Sequence, residues 1–240
     1  MTGAESGSAK MKLAIVGYGK MGHSIERLAP EYGCEIALRL DINNNANFEG
    51  LTSENFRGID AALEFSTPAT AIENIERLAR LGVNAVVGTT GWLRDIERAR
   101  TAVDRAGTAL VWGANFSVGV NLFSQIVAEA AELFARQPDY GAWAWEIHHS
   151  TKKDAPSGTL LALVERMKKS GYDKPIDAGS NRAGGHPGTH EIGFDSPDDT
   201  ITIRHTARGR DGFARGALRA ARWIAGKKGL FEFREILNEL

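Results

Sequence analysis

The sequence predicts an α/β fold: an N-terminal Rossmann-type, doubly wound parallel sheet joined to a second α+β domain. Three observations predict it. From Lys12 to Asn115, short apolar runs alternate with helix-period segments. The first run passes directly into a glycine turn, Gly17-Tyr18-Gly19-Lys20-Met21-Gly22. After Asn115 the rhythm changes to a long helix pattern and to strands with half-exposed alternation.

Each element has its own signal. Leu13 to Val16 is wholly apolar and reads as a buried strand, and Met21 to Tyr32 reads as a helix. Glu35 to Leu40 predicts a second strand ending at Asp41, followed by an Asn- and Gly-rich loop. Ala61 to Phe65 predicts a third strand. Ser66-Thr67-Pro68 predicts a helix start, with a hydroxyl cap and Pro in the first turn, running to Leu81. A fourth strand, Val83 to Val87, ends in Gly88-Thr89-Thr90-Gly91, and a helix follows from Leu93 to Ala106. A fifth, Thr108 to Trp112, ends in Gly113-Ala114-Asn115-Phe116. Every strand of this half therefore ends in small polar residues, where parallel sheets bind ligands.

The second half predicts a helix from Val118 to Arg136, a strand from Trp143 to Ile147 and a helix from Ser157 to Ser170. The Gly- and Pro-containing stretch Gly171 to Gly188 reads as loop. Strands at His190 to Phe194 and Thr200 to Arg204 alternate as an antiparallel pair. A helix from Phe213 to Ala225 and a short helix after Leu230 close the chain. The expected domains are a disordered extension over 1–10, a dinucleotide-binding domain over 11–116 and 212–240, and a substrate-binding and oligomerisation domain over 117–211.

Composition narrows the classes of function. The 240 residues carry a net charge of −1, with pI near 6.6, so no global field favours nucleic acid or an anionic membrane. The single cysteine, Cys34, excludes an internal disulfide and a thiolate metal cage. No apolar run approaches the ~20 residues of a membrane span, and the first ten residues lack the apolar core of a secretion signal. A cytoplasmic protein is expected.

The glycine turn gains meaning from its context. It follows a buried strand, opens a helix, and precedes Asp41 at the offset where a carboxylate accepts from adenosine ribose hydroxyls. Asp41 would repel a 2′-phosphate, and Ile42 offers no guanidinium. NADH is the expected cofactor; Lys20 and Arg39 are the cations available to accommodate NADPH.

The second informative segment is Glu146-Ile147-His148-His149-Ser150-Thr151-Lys152-Lys153-Asp154-Ala155-Pro156-Ser157-Gly158-Thr159. It leaves a strand, crosses a loop of titratable residues and enters a helix. Free backbone N–H groups at that helix start make an anion site. Lys152 adds positive charge, and the histidines titrate near neutrality. The set suits a small carboxylate that must be protonated after accepting a hydride. A metal is not expected, because adjacent histidines on a strand face opposite ways and no third ligand stands nearby.

The segment HHSTKKDAPSGT closely resembles the signature of the dihydrodipicolinate reductase family. GYGKMG, FSTP, VVGTTG, GANFSVGVN and the closing HTARGRDGFARGALRAARWI agree with that family in order and spacing. The resemblance covers nearly everything after Lys12. It implies an NAD(P)H-dependent reductase of a cyclic dicarboxylate in lysine and diaminopimelate biosynthesis, usually a homotetramer. Gly17, Tyr18, Gly19, Lys20 and Met21 would hold the pyrophosphate, and Asp41 the ribose. Ser66, Gly88, Thr89, Thr90, Gly113, Ala114, Asn115 and Phe116 would complete the cofactor site towards the nicotinamide. His148 and Lys152 would be catalytic, with the choice of proton donor open between them. His149, Ser157, Gly158 and Thr159 would bind substrate. Two departures stand out. Thr151 replaces a third histidine found in many members, and the segment after Gly188, which contributes to tetramer contacts in longer members, is short. Two other readings are a different dehydrogenase on the same scaffold and a non-catalytic dinucleotide sensor; the DAPSGT turn and the positioned acid argue against both.

Overall fold

The structure is a computed structural model and describes residues 10–240. The extension expected over 1–10 therefore lies outside the described residues, apart from Lys10. The chain divides into two compact units, one formed by 1–117 and 213–240, the other by 118–212.

The first unit is built on six parallel strands: β1 (Met11–Val16), β2 (Cys34–Leu40), β3 (Ala61–Glu64), β4 (Asn84–Val87), β5 (Ala109–Trp112) and β10 (Gly229–Glu232). Their order across the sheet is β10-β5-β4-β3-β1-β2. Helices α1 (Lys20–Leu28), α2 (Ala71–Arg80), α3 (Ile96–Ala106) and α6 (Asp211–Trp223) belong to the connections and the return of the chain. β1, β3 and β4 are apolar almost throughout because helices cover parallel sheets on both faces. Leu13, Ile15, Leu63 and Val86 are fully buried. The chain leaves β1 towards β2 on one side and returns with β3 on the other, so the strand order reverses between β1 and β3. Ligands of open α/β sheets bind at such a reversal.

The second unit carries a mixed four-stranded sheet in the order β7-β6-β8-β9. Here β6 is Gly141–His148, β7 Ile176–Arg182, β8 Thr189–Asp195 and β9 Thr200–Thr206. β7 runs parallel to β6; β8 and β9 run antiparallel to their neighbours. Helices α4 (Val118–Ala135) and α5 (Gly158–Lys169) supply Phe123, Val127, Leu160 and Leu163 to a core shared with Ala142, Ala144, Ile192 and Phe194 of the sheet. Among the described residues, α4 is the one helix long and apolar enough to cross a membrane. Glu129 and Glu132 interrupt it, and its Phe123-Val127-Ala131 stripe packs in this core.

The structure corrects four expectations. The stretch Gly171 to Gly188 contains β7, an edge strand whose apolar residues, Ile176 and Ala178, stand only at its start, so that it lacks the sustained alternation that marks a strand. The short helix expected after Leu230 is instead β10 at the sheet edge, with only a 3₁₀ turn at Leu237–Glu239. Ser66 does not cap a helix. Its hydroxyl turns to Glu64, a turn occupies the next residues, and α2 begins at Ala71. The helix expected to run from Met21 to Tyr32 ends at Leu28 and continues as a 3₁₀ turn at Ala29–Tyr32, with Pro30 early in that turn.

Candidate functional site

The first unit offers a cavity of about 450 Å³ at the reversal point, lined by Gly19, Lys20, Met21, Phe65, Ser66, Pro68, Gly88, Thr89 and Thr90. Phe65 and Pro68 belong to the FSTP motif but are not among the residues expected in the cofactor site. Three glycines shape the entry. Gly17 has φ +98°, and a Cβ there would lie 2.3 Å from the Phe65 carbonyl oxygen. At Gly22 a Cβ would press on Tyr18 and Ile15 at 3.0 and 3.2 Å, so this glycine lets α1 approach β1 closely. A Cβ at Gly19 would meet nothing within 4 Å; the helix start is open on that side. α1 has no side-chain cap and no acid in its first turn. Its first N–H groups and its positive dipole end therefore lack a protein anion, which fits a pyrophosphate.

Asp41 directly follows β2. Its Oδ1 accepts from the Asn43 N–H at 2.7 Å, and its own N–H donates to Asn44 Oδ1 at 2.8 Å, which fixes the acid in a local turn. Arg39 is engaged elsewhere, donating through Nε to Glu26 at 2.8 Å, while Tyr18 donates to the same carboxylate. Of the loop after β5, Phe116 is buried against Phe65 and Phe233, at ring separations of 6.1 and 4.6 Å. Its ring backs Phe65, which lines the cavity, and does not line the cavity itself. Asn115 Oδ1 accepts from the Ser117 N–H at 2.8 Å, Gly113 is buried and Ala114 is exposed.

In the second unit, β6 alternates so that Ala142, Ala144, Glu146 and His148 face inward. Register sets Glu146 opposite Ser180 on β7 and His190 on β8, and His148 opposite Arg182. Glu146 is completely buried, and five groups converge on it. Its Oε1 accepts from the Ser157 N–H at 2.7 Å, Ser180 Oγ at 2.8 Å and Arg182 Nη2 at 2.9 Å. Its Oε2 accepts from Ser157 Oγ and lies 3.2 Å from His148 Nδ1 and 3.3 Å from His190 Nε2. The His148 contact has ion-pair distance without hydrogen-bond alignment. Burial alone would raise the Glu146 pKa, but the donors from Ser157, Arg182 and Ser180 outweigh it and bring it to about 2. Burial, helped by the neighbouring His148, lowers His190 to about 4. Burial also lowers His148, against the pull of Glu146. At neutral pH the site thus holds an ionised acid, a guanidinium and two neutral imidazoles.

Glu146, His148 and His190 have the spacing of a metal triad. The acid, however, is already shared among Ser157, Ser180 and Arg182, and the guanidinium supplies its counter-charge. None of Glu146, Ser180, Arg182 and His190 was assigned a role from sequence. The one available signal was the acid two residues before His148, on the same face of an otherwise apolar alternation.

The loop beyond β6 contains the remaining expected residues. Ser157 is buried; its hydroxyl caps α5 by accepting from the Leu160 N–H at 3.2 Å and otherwise faces Glu146 and His190. It is an internal brace and presents nothing to a ligand. Lys152 donates to both oxygens of Asp154, at 2.7 and 2.9 Å. The Asp154 carboxyl is held below its usual range by Lys152 first, and also by the backbone N–H of Gly158. His149 Nδ1 sits 2.7 Å from Thr151 Oγ1. Gly158 and Thr159 open α5, and nothing crowds Gly158. Gly188, at φ +135°, lies against the His148 ring; a Cβ there would be 2.9 Å from Nε2.

The chain matches the family models described as dihydrodipicolinate reductase, N-terminus, over residues 11–116 and dihydrodipicolinate reductase, C-terminus, over 119–237. A 4-hydroxy-tetrahydrodipicolinate reductase of Christiangramia forsetii is 34% identical, with 96% of this chain and 99% of that protein covered. One from Methanoregula boonei is 32% identical, covering 95% and 98%. A solved structure titled as the dipicolinate-bound dihydrodipicolinate reductase of a Paenisporosarcina species shares the fold, with a TM-score of 0.78 at 21% identity, covering 96% and 100%.

Proposed function

The chain belongs to the dihydrodipicolinate reductase family, and from that premise we propose how its residues divide the work of a 4-hydroxy-tetrahydrodipicolinate reductase. The reaction is the NAD(P)H-dependent reduction of a cyclic dicarboxylate to tetrahydrodipicolinate in lysine and diaminopimelate biosynthesis.

One observation carries the assignment of the substrate site. Asp154, a carboxylate of the chain itself, rests between Lys152 Nζ and the Gly158 N–H. This corner therefore has the donors a substrate carboxylate needs, and a substrate can take them over from an exposed side chain. His149 and the Gly158 and Thr159 N–H groups complete the anion site; Ser157 holds the turn from behind.

NADH supplies the hydride. The N–H groups of Lys20 and Met21 bind its pyrophosphate, with Gly17 and Tyr18 shaping the turn, and Asp41 accepts from the ribose hydroxyls. Ser66, Gly88, Thr89, Thr90 and the loop from Gly113 to Phe116 form the nicotinamide end. NADH is preferred over NADPH: Asp41 repels a 2′-phosphate, and Arg39 is occupied by Glu26. As negative charge develops beside the reduced carbon, Lys152 donates the proton. His148 is neutral at pH 7 and orients the substrate through Nε2, its Nδ1 being buried against Glu146. The enzyme works in the cytoplasm as a homotetramer, joined through the face of the second sheet where Trp143 and Trp145 stand outside the helix-covered core.

Dipicolinate calorimetry on the full chain tests the site. Lys152→Ala should weaken dipicolinate binding at least tenfold, the loss of one charge-assisted contact, and leave NADH binding unchanged. Unaltered dipicolinate affinity would refute the assignment.

A further inference from the structure

A buried acid that the proposed reaction does not use stands beneath the cofactor cavity. Glu64 is the last residue of β3, next to the reversal point, and has no solvent exposure. Its backbone carbonyl receives the Gly88 N–H at 2.9 Å. All aligned donors fall on one side-chain oxygen: Oε1 accepts from Ser66 N at 3.2 Å, Asn74 Nδ2 at 3.1 Å and Ser66 Oγ. Oε2 has no aligned partner, and neither do two buried neighbours, Asn74 Oδ1 and Thr89 Oγ1. Among the described residues the groups that act most on Glu64 are Ser66, Thr89 and Asn74, none of them a cation. An ionised carboxylate so enclosed would have neutral donors and no counter-charge among these groups, which is costly.

We propose that Glu64 is a positioning residue of the dinucleotide cavity that carries its proton and holds Ser66 and Thr89, two residues of the cavity wall, in place. A proton on Oε2 turns that oxygen into a donor for one of the two unpaired neighbouring oxygens, Asn74 Oδ1 or Thr89 Oγ1. Asn74 extends the brace, donating to Ser66 Oγ at 3.1 Å, and Ser66 Oγ meets Thr70 Oγ1 at 3.0 Å. A neutral acid also keeps a fixed negative charge away from a site proposed for an anionic dinucleotide. Burial pushes the Glu64 carboxyl up, in the direction this requires.

The inference rests on reading the cavity as the dinucleotide site, and the test separates the two claims. NADH binding is measured on the full chain for the native protein, Glu64→Gln and Glu64→Ala, and infrared spectra of the native protein and Glu64→Gln are compared at pH 7. Glutamine copies the neutral acid's shape, so its NADH dissociation constant should stay within about threefold of native, whereas alanine should weaken binding about tenfold by releasing Ser66 and Asn74. The native protein should show the carbonyl band of a neutral carboxylic acid that Glu64→Gln lacks. A carboxylate signal in place of that band overturns the proposal, as does a tenfold loss of NADH binding in Glu64→Gln at unchanged melting temperature. Failure of the native protein to bind NADH would overturn the cavity reading instead, while the infrared comparison would still decide the protonation of Glu64.

Discussion

Glu64 and Glu146 stand near the carboxyl ends of strands in the two units, both with no solvent exposure, yet their surroundings push their pKa values in opposite directions. Glu146 has donors on both oxygens and a guanidinium at 2.9 Å, and it titrates at about 2. Glu64 has neutral donors on one oxygen and is pushed up by burial. Burial therefore does not set the charge of an acid; the count and sign of its partners do. The contrast follows what each unit has to do. A neutral acid backs a site for a cofactor that brings its own negative charge. An ionised one balances Arg182, fixes the start of α5 and approaches His148.

Removing the chemistry of one unit while sparing the other's ligand should have the largest effect. Lys152→Ala should lower kcat by about 10² to 10⁴, the usual worth of a positioned acid, with the NADH dissociation constant unchanged. A parallel loss of cofactor binding would show that the two sites are not separable.

The two acids themselves sharpen the comparison next. Glu146→Gln leaves the partly buried Arg182 beside a neutral amide and should cost up to about 3 kcal/mol of stability, the lower end for removing one partner of a buried pair. Glu64→Gln should cost less than about 1 kcal/mol, because it replaces one neutral group with another. Chemical denaturation of both variants checks this, and equal losses would erase the contrast.

Their pH dependences should have opposite signs. Glu146 binds its proton less tightly folded than unfolded, so its stabilisation is complete above its ordinary value of 4.5 and is lost as pH falls towards 2. Glu64 binds its proton more tightly folded, so its contribution declines as pH rises from 4.5 towards its raised value. His190 adds to the acid side: below 6.5 the unfolded chain takes up a proton that the folded protein resists until about 4. Stability measured against pH for the native protein and each glutamine variant separates these contributions. A native-minus-Glu64→Gln difference that does not change with pH above 4.5 would count against the Glu64 half.

The smallest expected effect concerns cofactor choice. Asp41→Ser removes the carboxylate proposed to accept from the ribose and should shift the NADPH-to-NADH efficiency ratio about tenfold towards NADPH, a change of about 1.4 kcal/mol. No shift in steady-state kinetics with the two cofactors would dissociate Asp41 from that choice.

What could be read from sequence was local. Gly17 to Gly22 and Asp41 are legible because a strand, a turn and the next strand end suffice to place them. His148 and Lys152 stood out as titratable residues in a loop. The network around Glu146 was not legible, since Ser180, His190 and Arg182 come from strands 34 to 44 residues further along the chain and meet only through sheet register. β7 hid two of them, because an exposed edge strand needs no apolar alternation. Ser157 read as a ligand group because its cap position was visible and its inward turn towards Glu146 was not. Glu64 offered a faint signal, an acid closing the apolar run Ala61-Ala62-Leu63.

If the proposed function holds, this chain reduces a cyclic dicarboxylate with a hydride from NADH and a proton from Lys152. The most direct test condenses pyruvate with aspartate semialdehyde enzymatically, adds the native chain or Lys152→Ala, and follows NADH absorbance. The account predicts rapid NADH oxidation by the native chain, inhibition by dipicolinate, and a rate reduced at least a hundredfold in a Lys152→Ala protein that still binds NADH. Absence of oxidation by the folded native chain with either cofactor, or near-native turnover in Lys152→Ala, would contradict it.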